Sequence, residues 1–107
     1  MQLLTKAIKA KAEKQFPLGS SLETQKVVAK FFDPVGSWTW YLMNIDPEDE
    51  NYAWGIVKGA EVEMGSFSLK DLQEHKGRFG LGIERDLWFT PVNASELWEK
   101  LTKGEHV

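Results

Sequence analysis

A chain of 107 residues has room for one hydrophobic core, and its 42% hydrophobic and 27% charged residues match an ordinary globular domain. With 13 basic against 16 acidic side chains the formal net charge is −3, so the whole chain lacks the basic excess that neutralises a phosphate backbone. It contains no cysteine, which excludes disulfides, thiolate nucleophiles and cysteine-based zinc or iron–sulfur sites.

His75 and His106 lie far apart and neither has a second histidine one helical turn away, so no metal site and no cofactor is expected. No apolar run approaches the ~20 residues of a membrane helix. Met1-Gln2-Leu3-Leu4 leads into lysines interleaved with small residues, without the apolar core and cleavage site of a secretory signal. The expectation is one cytoplasmic domain over residues 1–107, without a membrane partner.

In chain order, Leu3, Leu4, Ala7, Ile8 and Lys11 fall at helical spacing and predict an amphipathic helix over residues 2–14, broken by Pro17 and Gly19. Strands are predicted over Lys26–Asp33 and Ser37–Ile45, joined by a turn that contains Pro34 and Gly36. That hairpin carries Phe31, Phe32, Trp38, Trp40 and Tyr41, more ring surface than one sheet face needs. The acidic run 46–51 reads as a solvated loop before strands at Tyr52–Lys58 and Glu61–Phe67. The first two strands are apolar on both faces, as in the middle of a sheet, and the fourth is polar on one face, as at an edge.

Ser68 with Asp71 three residues later predicts a capped short helix over 69–75. Gly77, Gly80 and Gly82 form a glycine-rich loop, residues 83–89 read as a fifth strand, and 96–101 as a closing amphipathic helix that ends at Gly104. The predicted fold class is α+β: an antiparallel β-sheet meander of about five strands with N-terminal, central short and C-terminal helices, the helices mainly on one face.

The ordered set Lys30-Phe31-Phe32, Pro34, Gly36, Trp38-Thr39-Trp40-Tyr41, then Gly55, Val57, Gly59, Glu63, Gly65, Phe67-Ser68-Leu69, Gly80-Leu81 and Ile83-Glu84-Arg85-Asp86 resembles the bacterial domain-of-unknown-function family 2958. The resemblance covers about residues 2–100. It implies a small bacterial or phage protein of the kind carried on plasmids, conjugative elements and prophages, at times as one module of a longer polyvalent protein. It implies no reaction, ligand or catalytic residue.

The Gly77–Gly82 loop is no P-loop, because the Gly-Lys-Ser/Thr ending is missing, and its glycine spacing reverses that of a dinucleotide fingerprint. It reads as a structural turn, with Arg78 as a possible anion contact. Strand alternation puts Glu84 and Asp86 on one face and Arg85 on the other. Two carboxylates so placed can act as an acid–base pair or pair with Arg78 or Lys30 to fix the loop. Trp38 and Trp40 share one strand face, Tyr41 and Met43 the other. Each buried ring removes ~150–250 Å² from water, so core packing is the default account of Trp38, Trp40, Tyr41, Trp54 and Trp88 and is expected to hold for three of those four Trp. A sheet covered on one face only would leave rings such as Trp38, Trp40, Tyr41 and Trp54 open for a partner.

Asp46, Glu48, Asp49, Glu50, Glu61 and Glu63 outline an acidic edge. The first functional expectation is a non-enzymatic module that binds a protein partner through the aromatic face or this edge. The alternative is a small-ligand-binding domain or enzyme that uses Glu63, Arg78, Glu84, Arg85 and Asp86 around the glycine loop. Association with nucleic acid is a third reading and requires the lysines of residues 6–14 and 26–30 to converge on one face.

Overall fold

The sequence Thr39-Trp40-Tyr41-Leu42-Met43-Asn44-Ile45 has large apolar side chains in both alternation phases, and such a strand is stable only where both sheet faces are covered. In the computed structural model, which describes residues 2–77, 80–105 and 107, this run is β3 (Thr39–Asp46), and residues 41 to 45 are all buried. It is the middle strand of a five-stranded antiparallel sheet of order β5-β4-β3-β2-β6. The other strands are β2 (Ala29–Phe32), β4 (Asp49–Lys58), β5 (Val62–Ser68) and β6 (Glu84–Arg85). With its helices this is an α+β fold, as the sequence predicts, and β5 lies at an edge as expected.

The helices do not share one face. Helices α1 (Lys6–Lys14) and α2 (Leu69–Glu74) contribute Ala12, Leu69 and Leu72 to a core with Phe31, Leu42 and Ala53. Helix α3 (Ala94–Thr102) brings Ala94, Leu97 and Leu101 onto Tyr41, Met43 and Ile56 on the opposite side. The expectation of a one-sided cover fails because β3 itself is apolar on both sides, so either layer alone would leave rings wet. Each helix begins on a side-chain cap: Thr5 Oγ1 accepts from the Ile8 amide, Ser68 Oγ from that of Asp71, and Asn93 Oδ1 from those of Ser95 and Glu96. Among the described residues no helix is long and apolar enough to cross a membrane.

Several elements differ from the sequence-based expectation, and the first helix starts at Lys6 rather than at residue 2. The first predicted strand breaks at Val28 into β2 and a two-residue β1 (Lys26–Val27), which pairs with β7 (Val92–Asn93) in a separate ladder. Gln15 causes this: its amide donates to the Lys26 and Met43 carbonyls and accepts from the Lys26 amide, standing in for a peptide group between β1 and β3. The acidic loop shrinks to a tight turn with Asp46 opposite Asp49, so Asp49 and Glu50 lie within β4. The carboxylates of Asp46 and Asp49 accept from the Glu48 and Asn51 amides and hold that turn. The fifth strand spans two residues, not seven, because Asp86 turns the chain outward. The closing helix runs 94–102 rather than 96–101.

Between β3 and β4 the register slips at Leu42/Asn44, a bulge that leaves Met43 unopposed. Gly55, opposite Leu42, makes it possible: a Cβ there would sit 1.9 Å from the Tyr41 carbonyl oxygen. Gly55→Ala must therefore displace backbone in the centre of the sheet, at an expected cost of more than about 2 kcal/mol. Gly65→Ala, on β5 with nothing within 4 Å of its Cβ position, should stay within about 0.5 kcal/mol of the parent in the same denaturant titration.

Tyr41 is the largest fully buried side chain, and its hydroxyl donates to the Val107 carbonyl at 3.2 Å. Burial, and secondarily the charge of Asp86, pushes its pKa up to about 12. The unfolded chain ionises this phenol near pH 10 while the folded chain keeps it neutral. Its contribution is thus intact below pH 10 and is lost as pH rises toward 12, by on the order of 2 kcal/mol. Tyr41→Phe should remove that alkaline slope in pH-dependent unfolding experiments, and an unchanged slope would assign it elsewhere.

Candidate functional site

Two turns bring the site together at the β2–β3 end of the sheet. In the first, Asp33 Oδ1 accepts from the Val35 amide at 3.1 Å, and the Asp33 amide donates to the Trp38 carbonyl across the mouth of the hairpin. Trp38 leaves this turn 48% exposed and lies against Gly59, where a Cβ would come within 2.6 Å of the indole ring. Its ring centroid is 6.2 Å from that of Trp40. In the second turn, the Asp86 amide donates to the Lys30 carbonyl and Asp86 Oδ1 accepts from the Trp88 amide at 2.9 Å. Both bonds use Asp86 to end the ladder and throw the next two side chains outward. Leu87 is 64% exposed and Trp88 93%.

Between these turns runs a groove of about 670 Å³, floored by Lys30, Phe32 and Thr39 and walled by Trp38, Leu87 and Trp88. Lys58, Glu84 and Asp86 set its charge. Lys30 is committed: its ammonium donates to the Val107 carbonyl at 2.9 Å, lies 3.8 Å from Asp86 Oδ2 and sits 5.9 Å from the centre of the Tyr41 ring. Lys58 and Glu84 make no ion pair among the described residues, so the groove offers one available charge of each sign beside its apolar wall.

The sequence-derived candidates separate. Glu84, Arg85 and Asp86 all line the groove, but the Arg85 guanidinium leaves it and donates to the Gln2 and Leu3 carbonyls at 2.8 and 3.0 Å, tying down the segment before α1. The triplet is thus divided, as strand alternation requires. Glu63 lies on β5, at the opposite edge from β6, four strand spacings or roughly 19 Å away across the sheet. Tyr41 is core, Trp40 packs against the α1/α2 layer, and Trp54 against the α3 layer, where its indole N–H has no hydrogen-bond partner among the described residues. Of the four proposed aromatics only Trp38 lines the groove.

Arg78 lies outside the described residues, as do Met1, Phe79 and His106. The described part of the glycine loop closes on itself, with Lys76 bridged to Gly82 and the Gly77 amide donating to the Leu81 carbonyl at 2.8 Å. Beside it His75 Nε2 stands 3.9 Å from Asp33 Oδ2. No group of three or more acidic or histidine side chains among the described residues is placed to hold a metal ion.

The lysines also divide. Lys11, Lys14 and Lys26 line one groove with Leu18 and Pro91, Lys6 and Lys9 line the cleft between α1 and α2, and Lys30 belongs to the main groove. The acidic edge is partly neutralised at Glu50, whose hydrogen bond from Lys9 holds its carboxyl below the usual carboxylate range and raises the lysine.

Leu87, Trp88, Phe32 and Lys58 are the groove residues that sequence reasoning passed over. A legible signal existed for the first two: an Asp two residues before a Trp is a turn former, and a turn there forces the apolar pair out of any strand. Neither the curated proteins nor the solved structures include a match to this chain. The family model described as "Protein of unknown function (DUF2958)" matches residues 2–105, nearly the whole of the α+β domain described above, and the chain belongs to that family.

Proposed function

We propose that this DUF2958 protein is a non-enzymatic protein-binding module whose groove grips an extended, apolar-bearing segment of a partner polypeptide. The observation that carries the reading is the Leu87–Trp88 pair, held in solvent by the Asp86 turn beside a half-exposed Trp38. Full burial of a side chain of this class stabilises by about 1.5–3 kcal/mol, and leaving two adjacent ones exposed forgoes that within the monomer. Exposed Trp flanked by apolar side chains is what interface hot spots are built from. One available cation and one available anion, Lys58 and Glu84, suit a polypeptide with both signs of charge better than a polyanion.

The reading as enzyme or small-ligand site has less behind it. Arg85 is turned away from Glu84 and Asp86, Asp86 is occupied by a turn amide and Lys30, and Glu63 stands at the far edge. The family resemblance supports a bacterial protein encoded on a mobile element or prophage, and we propose a cytoplasmic module with a host or element protein as partner.

The test is capture from a bacterial host lysate at low and moderate salt, with bound protein and nucleic acid both quantified. The parent should retain a protein at near-equal stoichiometry, and Leu87→Ala/Trp88→Ala should weaken its binding by about 30-fold or more, the effect of losing roughly 2 kcal/mol at a hot spot. Because both side chains are solvent-exposed, the double variant should melt like the parent. Equal capture by parent and variant would overturn the assignment of the groove, and nucleic acid lost steeply with salt would point to the Lys11, Lys14 and Lys26 groove.

A further inference from the structure

The two edges of the sheet are protected unequally. β6 is two residues long and ends at the Asp86 turn, so it presents almost no ladder to a newcomer. β5 is seven residues long, and among the described residues no strand pairs with its outer side. Its register with β4 runs unbroken from Lys58↔Val62 to Tyr52↔Ser68, without the bulges seen between β3 and β4. It contains no proline, lysine or arginine, and its single charge is Glu63. Apart from that one carboxylate, the usual devices that blunt an edge are missing from it.

The turn between β4 and β5 fixes which backbone groups point outward. The Gly59 amide donates to the Glu61 carbonyl, so 59 and 61 form a hydrogen-bonded pair, and alternation makes 57/63, 55/65 and 53/67 the next such pairs. Glu63, Gly65 and Phe67 therefore spend their backbone groups on β4. Val62, Met64 and Ser66 direct theirs away from the sheet, as Ser68 does its amide, while the Ser68 carbonyl accepts the first bond of α2 as its N-cap.

We propose that β5 pairs antiparallel with β5 of a second copy of this chain, about a two-fold axis at Gly65, to give a continuous ten-stranded sheet. In that register Val62 faces Ser68 of the partner subunit and Met64 faces Ser66 of the partner subunit, so all four outward residues meet outward residues and about six backbone hydrogen bonds form, the Ser68 carbonyl being committed to α2. Glu63 falls opposite the apolar ring of Phe67 of the partner subunit. The two Glu63 carboxylates stand four residues apart along the strand, roughly 13 Å and beyond the ~8 Å screening length at physiological salt. The two Met64 side chains become diagonal neighbours on one face, within reach of each other. The strand is self-complementary in this register: the outward amides of Met64, Ser66 and Ser68 find carbonyls and no like charges meet. A strand-to-strand contact is small, so association is expected only at high protein concentration.

The absence of native cysteine makes the register directly testable. Gly65 would face its own copy as a pair not hydrogen-bonded to each other, with Cα atoms about 4.5 Å apart, inside the range a disulfide spans. Space for the added side chain exists, since nothing lies within 4 Å of the Gly65 Cβ position. Gly65→Cys should oxidise to a covalent dimer, reversible by reductant, at least about tenfold faster than Glu63→Cys under matched conditions, because the latter places the thiols roughly 13 Å apart. Sedimentation of the parent should show a mass rising toward two chains as concentration increases. Ser66→Pro removes one outward N–H and leaves the β4 ladder intact, so it should weaken that association at least about tenfold while its circular dichroism stays parental. A parent that stays monomeric at every concentration, or equal cross-linking by the two cysteine variants, would overturn the proposal. Should Ser66→Pro fail to fold, the cysteine pair decides alone.

Discussion

The constraint on which the structure depends is that β3 is apolar on both faces. A strand with Tyr41 and Met43 on one side and Leu42 and Ile45 on the other forces a three-layer arrangement, because leaving either side wet would expose several large side chains at about 1.5–3 kcal/mol each. The two layers are recruited from distant parts of the chain, α1 and α2 for one side and α3 for the other. The connections must then pass around the sheet, and polar side chains hold them there. Gln15 replaces a peptide group between β1 and β3. Buried Asn44 and Gln25 share the Gly19 carbonyl, which fixes the segment after α1 to the middle strand. Buried amides stabilise only when fully partnered, so these contacts define one path for the chain rather than merely adding energy.

Asp86 joins this scaffold to the groove. Its amide still belongs to the sheet through Lys30, its carboxylate ends the strand by accepting from Trp88, and the same carboxylate lies within ion-pair distance of the Lys30 ammonium. Lys30 in turn reaches the Val107 carbonyl that also accepts from Tyr41. The most exposed side chain in the groove is thus two residues from a network anchored in the α3 core. A rigidly presented Trp loses less conformational freedom on association than one on a mobile loop, and this favours its use as an anchor.

Sequence pattern carried the elements whose period was strong. The two-faced apolar run of β3, the alternation in β5, the Ser68 cap and the helical spacing of α1 were all legible, as was the edge character of β5 from Glu63 and Gly65. What was not legible depended on contacts distant in sequence. The break at Val28 follows from Gln15, eleven residues from the amide it partners, and nothing local to Lys26–Phe32 announces it. The division of the helices between two faces was implicit in the two apolar phases of β3, yet which helix takes which face depends on where the connections run. In the site, alternation correctly separated Arg85 from Glu84 and Asp86. The same assumption of a long fifth strand placed Leu87 and Trp88 in the ladder, when one carboxylate at Asp86 turns them out of it.

The groove and the open strand lie at opposite edges of one sheet, and this arrangement has a physical consequence. Pairing through β5 about an axis perpendicular to the sheet would keep both grooves on the same side and put their β2 floors seven strand spacings, roughly 34 Å, apart. A single groove of this size, with one strongly exposed Trp, offers a modest contact area. Two such grooves held at a fixed separation would bind a partner carrying two copies of the same segment far more tightly than either alone, since the second contact becomes intramolecular. The edge contact is small and forms at high local concentration, so a repetitive or clustered partner would promote the assembly that grips it. Weak self-pairing and a weak groove would then act together in one bivalent binder whose affinity depends on the spacing and crowding of its target.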